Sequence, residues 1–465
     1  MKQKQNLFSA DIPVIPRRCV HFDLKGTPPT PDRLIRLLEV FAAARYNSVL
    51  VEWEDSFPWT VDRRFRSETA YATEVIRKFV KAARKLGIEI IPLVQCLGHM
   101  ETPLRLEDYR HLREVPHDEG ALNPLAPGAR ELVSRMVDDV LALMPDVKRF
   151  HLGGDEAWTF GTHPDTKAYI ARHGKGALYM RHVEPLLDKL IRRKIRPMLW
   201  HDMMREWDSS SLRRLARKAD LVAWGYRGHP YSMGKHCNRE MIERFTKHGV
   251  RLWGGAAYKG ADGMDADLPD IPVREKNALG WVEAAREYYF TGVIATAWSR
   301  YSTSICQNEP VDGALDSAFN IGVILHDGRP PEGSIEACRR ELARIGEGCR
   351  FGKTRKALLA LSEARNGSWQ SINILRQLTV TATQDSRRLP CCAMVTRLQS
   401  ARSQLAAAEA AGDNLRKALK DLMEPVWVER YLAERIEPLR EEIAALEARV
   451  RQLSPAAFNE VKPGK

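Results

Sequence analysis

The chain has 465 residues, of which 44% are hydrophobic and 28% charged, the mix of a soluble globular protein rather than a disordered one. Its length exceeds what one hydrophobic core serves, so a large domain plus a smaller one is expected, and no run approaches the roughly 18 to 20 consecutive apolar residues that cross a bilayer. The formal charge of +12 is interleaved with glutamate rather than run together in Lys/Arg blocks, which argues for a solvated helical surface and against a nucleic-acid or membrane partner.

In chain order, eight short β-rich apolar runs occur at 19–24, 48–53, 88–94, 149–153, 196–200, 221–224, 250–254 and 292–298. Segments with helical spacing follow them at 30–45, 73–86, 128–143, 175–193, 210–218, 239–248, 273–289 and 311–325. Eight such units without a G-x-G-x-x-G turn after the first strand predict an α/β fold, a closed (β/α)8 TIM barrel spanning residues 1–330. From 331 to 465 the periodicity is helical without strands, at 334–345, 355–378, 393–423 and 426–453, which predicts a C-terminal α-helical domain. Its last segment carries Ile436, Leu439, Ile443, Leu446 and Val450 on one stripe, suited to capping the barrel or to a homodimer contact more than to substrate recognition.

In a parallel barrel the functional residues sit at the C-terminal ends of the strands. Those ends carry Asp23, Glu52 to Asp55, His99, then Asp155 and Glu156 in the first half. The second half adds Trp200, Asp202, Trp224, Tyr226, Trp253, Tyr258, Trp298, Arg300 and Tyr301. The densest segment is His151-Leu152-Gly153-Gly154-Asp155-Glu156-Ala157-Trp158. Two glycines let the backbone turn and a ligand approach, so both carboxylates can reach the barrel mouth instead of forming a solvated surface pair. Histidines 111, 117, 151, 163 and 173 are scattered without H-E-x-x-H, so neither a catalytic metal nor a cofactor is expected. The eight cysteines form no C-x-x-C pair, and the first 16 residues lack an apolar leader; both suit reduced thiols and a cytoplasmic location.

This H-x-G-G-D-E segment resembles that of the β-N-acetylhexosaminidases of glycoside hydrolase family twenty, including their hexosaminidase D-like branch. The similarity extends through Val20-His21-Phe22-Asp23-Leu24-Lys25-Gly26, Glu54-Asp55-Ser56-Phe57-Pro58, Leu97-Gly98-His99-Met100-Glu101, Tyr258-Lys259-Gly260 and Trp298-Ser299-Arg300-Tyr301. It implies a retaining exo-hydrolase of terminal β-linked N-acetylhexosamine, in which the substrate's own acetamide is the nucleophile and forms an oxazolinium. Glu156 would be the general acid, its pKa raised by burial near Asp155, while Asp155 stays ionised and grips the acetamide N–H. Arg18 would hold sugar hydroxyls and His99 support the carboxylate pair, with Trp200, Trp224 and Trp298 as aromatic walls. Tyr258, or Tyr226 in competition, would donate to the acetamide oxygen, and Asp202 would bind a hydroxyl or cap a turn. Arg300 stands where secreted members of the family have glutamate; either Glu54 or Asp55 takes over its contact or Arg300 accepts a charged substituent. Two other readings compete: a retaining glycosidase with Glu52 or Glu54 as nucleophile, and a catalytically silent carbohydrate- or polyanion-binding barrel.

Overall fold

The structure, a computed structural model, describes residues 7–264, 266–300 and 307–455; Tyr301 and Cys306 lie outside the described residues. Eight parallel strands close a barrel: β1 (Arg18–Asp23), β2 (Ser48–Glu52), β3 (Glu89–Leu93), β4 (Arg149–His151), β5 (Arg196–Trp200), β6 (Asp220–Trp224), β7 (Arg251–Lys259) and β8 (Gly292–Ala297). Closure is direct, since Val20 of β1 is in register with both Val49 of β2 and Ala295 of β8. Helices follow every strand on the outside, among them α1 (Pro31–Ala43), α2 (Thr73–Lys85), α3 (Ala129–Leu143), α4 (Lys175–Arg192), α5 (Ser209–Ala216), α6 (Arg239–Lys247), α7 (Ile271–Glu287) and α8 (Leu315–Asp327). A two-stranded hairpin, Ser232–Met233 with Cys237–Asn238, interrupts the β6–α6 connection and was not anticipated, being too short to show a period.

Side chains alternate along each strand, so every strand feeds two cores. Inward residues Cys19, Leu50, Ile91, Met198, Val222, Trp253 and Ile294 fill the barrel axis. Outward residues such as Val20, Val49, Leu199 and Val293 pack beneath the helices in the main core. The filled axis puts the site's cavity at the C-terminal mouth.

After α9 (Ser334–Arg344) come three long helices, α10 (Gly348–Gln384), α11 (Cys391–Leu419) and α12 (Pro425–Leu453). The apolar stripe of α12 is spent within the chain: Leu439, Ile443, Leu446 and Val450 pack with Ile372 and Leu375 of α10 and Met394 and Leu398 of α11. Near its start, α12 grips several barrel loops. Trp427 Nε1 donates to Thr69 Oγ1 (2.6 Å), and Asp267 of the β7–α7 loop receives Tyr431 Oη (2.6 Å), Arg435 Nε (2.5 Å) and, from α10, Arg365 Nη1 (2.5 Å). Arg435 Nη2 also donates to the Gln307 carbonyl (2.8 Å), and Pro29 forms a bridge with Met423.

Candidate active site

β4 ends two residues before its sequence pattern does. Gly153 (φ +56°) and Gly154 (φ +81°) are left-handed, and a Cβ on Gly154 would lie 2.2 Å from Tyr179 Oη, which donates to the Gly154 carbonyl (3.0 Å). This sharp turn delivers Asp155 and Glu156 to the mouth. Glu156 is itself left-handed (φ +46°), as are Glu54 (φ +45°) and His99 (φ +53°) beyond the two preceding strands. Non-glycine residues pay for such conformations, and here three of them lie at or beside one cavity.

Side-chain exposure separates the two carboxylates: Asp155 is 7% exposed and Glu156 29%. His99 lies between them, its Nε2 3.7 Å from Asp155 Oδ2 and 3.4 Å from Glu156 Oε2. Burial pushes the Asp155 carboxyl well above the usual range, and the charge of His99 only partly opposes it. Burial also works against charge on His99, but Asp155, Glu156 and Glu101 outweigh it and raise the imidazole to about 10. Desolvation thus falls mainly on Asp155, which follows the turn at Gly154 into the interior, while Glu156 faces the opening. Asp155 Oδ1 is buried and has no hydrogen-bond partner among the described residues.

The cavity around this pair measures about 1010 Å³. Trp224 and Trp298 wall it, and Tyr226 stacks on Trp224 at 5.3 Å. Trp200 is buried on the barrel axis against His151 (4.4 Å) and Trp298 (6.0 Å), so it backs the Trp298 wall without lining the cavity itself. Asp202 does not face the sugar position freely: its Oδ2 accepts from Glu156 N (3.0 Å) and its Oδ1 from Trp224 Nε1 (3.3 Å), fixing both. Arg300 Nη2 pairs with Asp55 Oδ2 at 3.0 Å at the cavity edge.

The structure places two of the expected site residues, Arg18 and Tyr258, away from the cavity. Arg18 opens β1, at the stability face opposite the mouth, and donates to the carbonyls of Arg45 (2.7 Å) and Ile15 (2.8 Å), tying strand ends together. Tyr258 points outward, with its ring 6.2 Å from Phe41 of α1 and its hydroxyl donating to the His21 carbonyl (3.3 Å). Tyr226 lines the cavity in its place. Glu54 is likewise turned away, accepting from Thr102 Oγ1 (2.5 Å) in a buried side pocket, and Asp23 serves from below as a partner of Lys25.

Lys25 is the main residue without an expected role. Its Nζ lies 2.8 Å from both Asp23 Oδ1 and Glu52 Oε1, at the cavity floor. Burial opposes its charge, yet these two carboxylates raise its pKa; Lys25 and His21 in turn hold Glu52 low against the burial that would raise it. Gln95 Nε2 also donates to Glu52 (3.2 Å), so Glu52 anchors a polar floor. Lys25 sits two residues past β1, which is the signal that identifies a mouth residue.

A closed parallel barrel with paired carboxylates between indole walls defines a carbohydrate-cleaving barrel enzyme. Residues 31–238 match glycosyl hydrolase family 20, catalytic domain. The chain is 32% identical to Hexosaminidase D of Bos taurus, over 66% of this chain and 92% of that protein. It is 28% identical to Hexosaminidase D of Homo sapiens, over 96% of this chain and 97% of that protein. The chain belongs to glycosyl hydrolase family 20. Among solved structures, the Flavobacterium johnsoniae chitobiase shares the fold with a TM-score of 0.56, at 15% identity, covering 95% of this chain and 75% of that one.

Proposed function

We propose that this chain is an exo-acting retaining β-N-acetylhexosaminidase that removes terminal β-linked N-acetylhexosamine by substrate-assisted catalysis. One observation carries the reading: a carboxylate oxygen, Asp155 Oδ1, is buried without a partner among the described residues, in a cavity that His99 and two indoles also line. The acetamide N–H of the substrate supplies that partner, and its hydrogen bond favours the ionised carboxylate that burial alone disfavours. Tyr226 donates to the acetamide oxygen and aims it at the anomeric carbon, where Asp155 stabilises the growing positive charge. Glu156, facing the opening, protonates the departing oxygen and then takes a proton from water. Lys25 and the Arg300–Asp55 pair bind the ring hydroxyls, and Trp224 with Trp298 encloses the acetyl methyl.

An enzymic nucleophile is disfavoured by the commitments of its candidates: Glu52 is held by Lys25 and Gln95, and Glu54 faces its side pocket. The test compares aryl β-glycosides bearing a 2-acetamido or a 2-hydroxyl group, using wild type, Asp155→Ala and Glu156→Gln. Cleavage of the acetamido substrate alone is expected, falling by about 100-fold or more in both variants. Equal cleavage of both substrates would move the nucleophile to the enzyme, and cleavage of neither would leave a carbohydrate-binding barrel.

Cytoplasmic residence belongs to the same proposal, supported by free thiols at Cys19, Cys96, Cys237 and Cys338, and cell fractionation tests it. A homodimer would use the charged outer faces of α11 and α12, since the apolar stripe is already covered. Sedimentation across a salt series tests that contact.

A further inference from the structure

The cavity is larger than one sugar. About 1010 Å³ lies at the top of the ~300–1,000 Å³ range that a whole drug-sized ligand fills, and a single pyranose between Lys25, Tyr226 and the two indoles occupies only its inner part. The outer part is lined by Trp158, His117, Asp118 and Glu119, with Arg227 also on the wall.

Trp158 is 79% exposed, two residues past the acid Glu156. An indole left in water on a pliable loop would be expected to fold back, but this loop is clamped. The buried carboxylate oxygen Glu114 Oε1 accepts from Gly161 N (2.9 Å), Thr162 N (3.0 Å), His163 N (3.1 Å) and Thr166 Oγ1 (2.5 Å). Thr159 Oγ1, next to Trp158, donates to Asp118 Oδ2 (2.6 Å) and joins the two rim loops. Four donors on one buried oxygen hold the backbone, so the indole is presented rather than loose.

We propose that Trp158 is the platform of a second sugar subsite, taking the pyranose on the leaving side of the bond that Glu156 protonates. This rests on the hydrolase reading above. The apolar C–H face of that sugar stacks on the indole, as polarisable apolar faces do on aromatic rings. Its hydroxyls donate toward the rim carboxylates Asp118, Glu119 and Glu101, which exceed the rim cations in number and repel an anionic sugar. The preferred leaving group is therefore a neutral pyranose, not a uronic acid.

The test uses three substrates with the same N-acetylglucosaminyl donor: its β-fluoride, which puts nothing on Trp158, the disaccharide N,N′-diacetylchitobiose, and a disaccharide ending in glucuronic acid. For Trp158→Ala the ratio of kcat/KM for chitobiose over fluoride is expected to fall about tenfold, the size of one stacking contact, and to be largely restored in Trp158→Phe. Wild type is expected to prefer chitobiose over the glucuronic disaccharide, a preference that weakens in Asp118→Asn/Glu119→Gln. An unchanged chitobiose-to-fluoride ratio in Trp158→Ala, or an equal loss on both, would overturn the subsite while leaving the hydrolase intact. A wild type that cleaves neither fluoride nor chitobiose would instead remove the hydrolase reading on which it stands.

Discussion

Tyr226 enters the cavity because it follows the end of β6, where the chain is free to turn over the mouth, whereas Tyr258 is still within β7 and obeys its alternation. Trp253 of β7 faces the barrel axis, so Tyr258, an odd number of residues later, faces the helices. That parity is legible in the sequence, as is the position of Arg18 at the start of its strand, at the face opposite the chemistry. Tyr226→Phe is expected to lower kcat/KM on the acetamido substrate by roughly 10- to 100-fold, and Tyr258→Phe to change it by less than about threefold. Steady-state kinetics of the two variants decides between the tyrosines. By contrast, no residue pattern tells which of Asp155 and Glu156 is the more deeply buried; that depends on the left-handed turn at Gly153 and Gly154. Glu54 shows a second consequence of burial, which raises its carboxyl from 4.5 to about 7. The folded state then binds a proton that the unfolded state has lost, so this group's stabilisation is present below about pH 4.5 and disappears as pH rises through 7. Glu54→Gln is expected to be more stable than wild type by on the order of 3 kcal/mol at pH 8 and equal to it at pH 4, as read by urea unfolding at both pH values.

Among the elements, all eight barrel strands follow from apolar runs in the sequence, because a strand covered on both faces has no polar side to blur the signal. Their ends are less legible. β7 continues to Lys259, five residues past its apolar run, because Gly255, Ala256 and Ala257 look weak for a strand; the small size of Gly254 and Gly255 is what lets Trp281 of α7 and Trp224 approach, with a Cβ on Gly254 meeting Trp281 at 2.7 Å. The helical tail is legible as helices but not in its attachments, since the ion pairs at Asp267 join positions 98 and 168 residues apart. Asp267 is buried and answers two guanidinium groups and a phenol, so its removal strands buried charge. Asp267→Ala is expected to cost about 3–5 kcal/mol, seen as a lower urea midpoint for the whole chain rather than a separate transition for the tail.

For the whole molecule, the tail is part of the mouth and not an appendage. Gln307, whose carbonyl receives Arg435 of α12, also donates to the Gly26 carbonyl beside Lys25, and the Arg300 guanidinium lies 5.9 Å from the Trp427 ring. The stretch 427–435 thus supports residues near 26, 69, 267 and 300, loops that belong to opposite ends of the barrel sequence. This arrangement has a consequence for synthesis. A ribosome makes the carboxylate pair early but the helix that braces its mouth only after residue 425, so the nascent barrel spends most of its elongation unbraced. Chains stalled on ribosomes with residue 420 just outside the exit tunnel are expected to release no product from an aryl N-acetylglucosaminide, and chains stalled with residue 455 outside to turn over normally. On that expectation the molecule carries its own delay, with catalysis withheld from the growing chain until the helix that begins at Pro425 has emerged and packed.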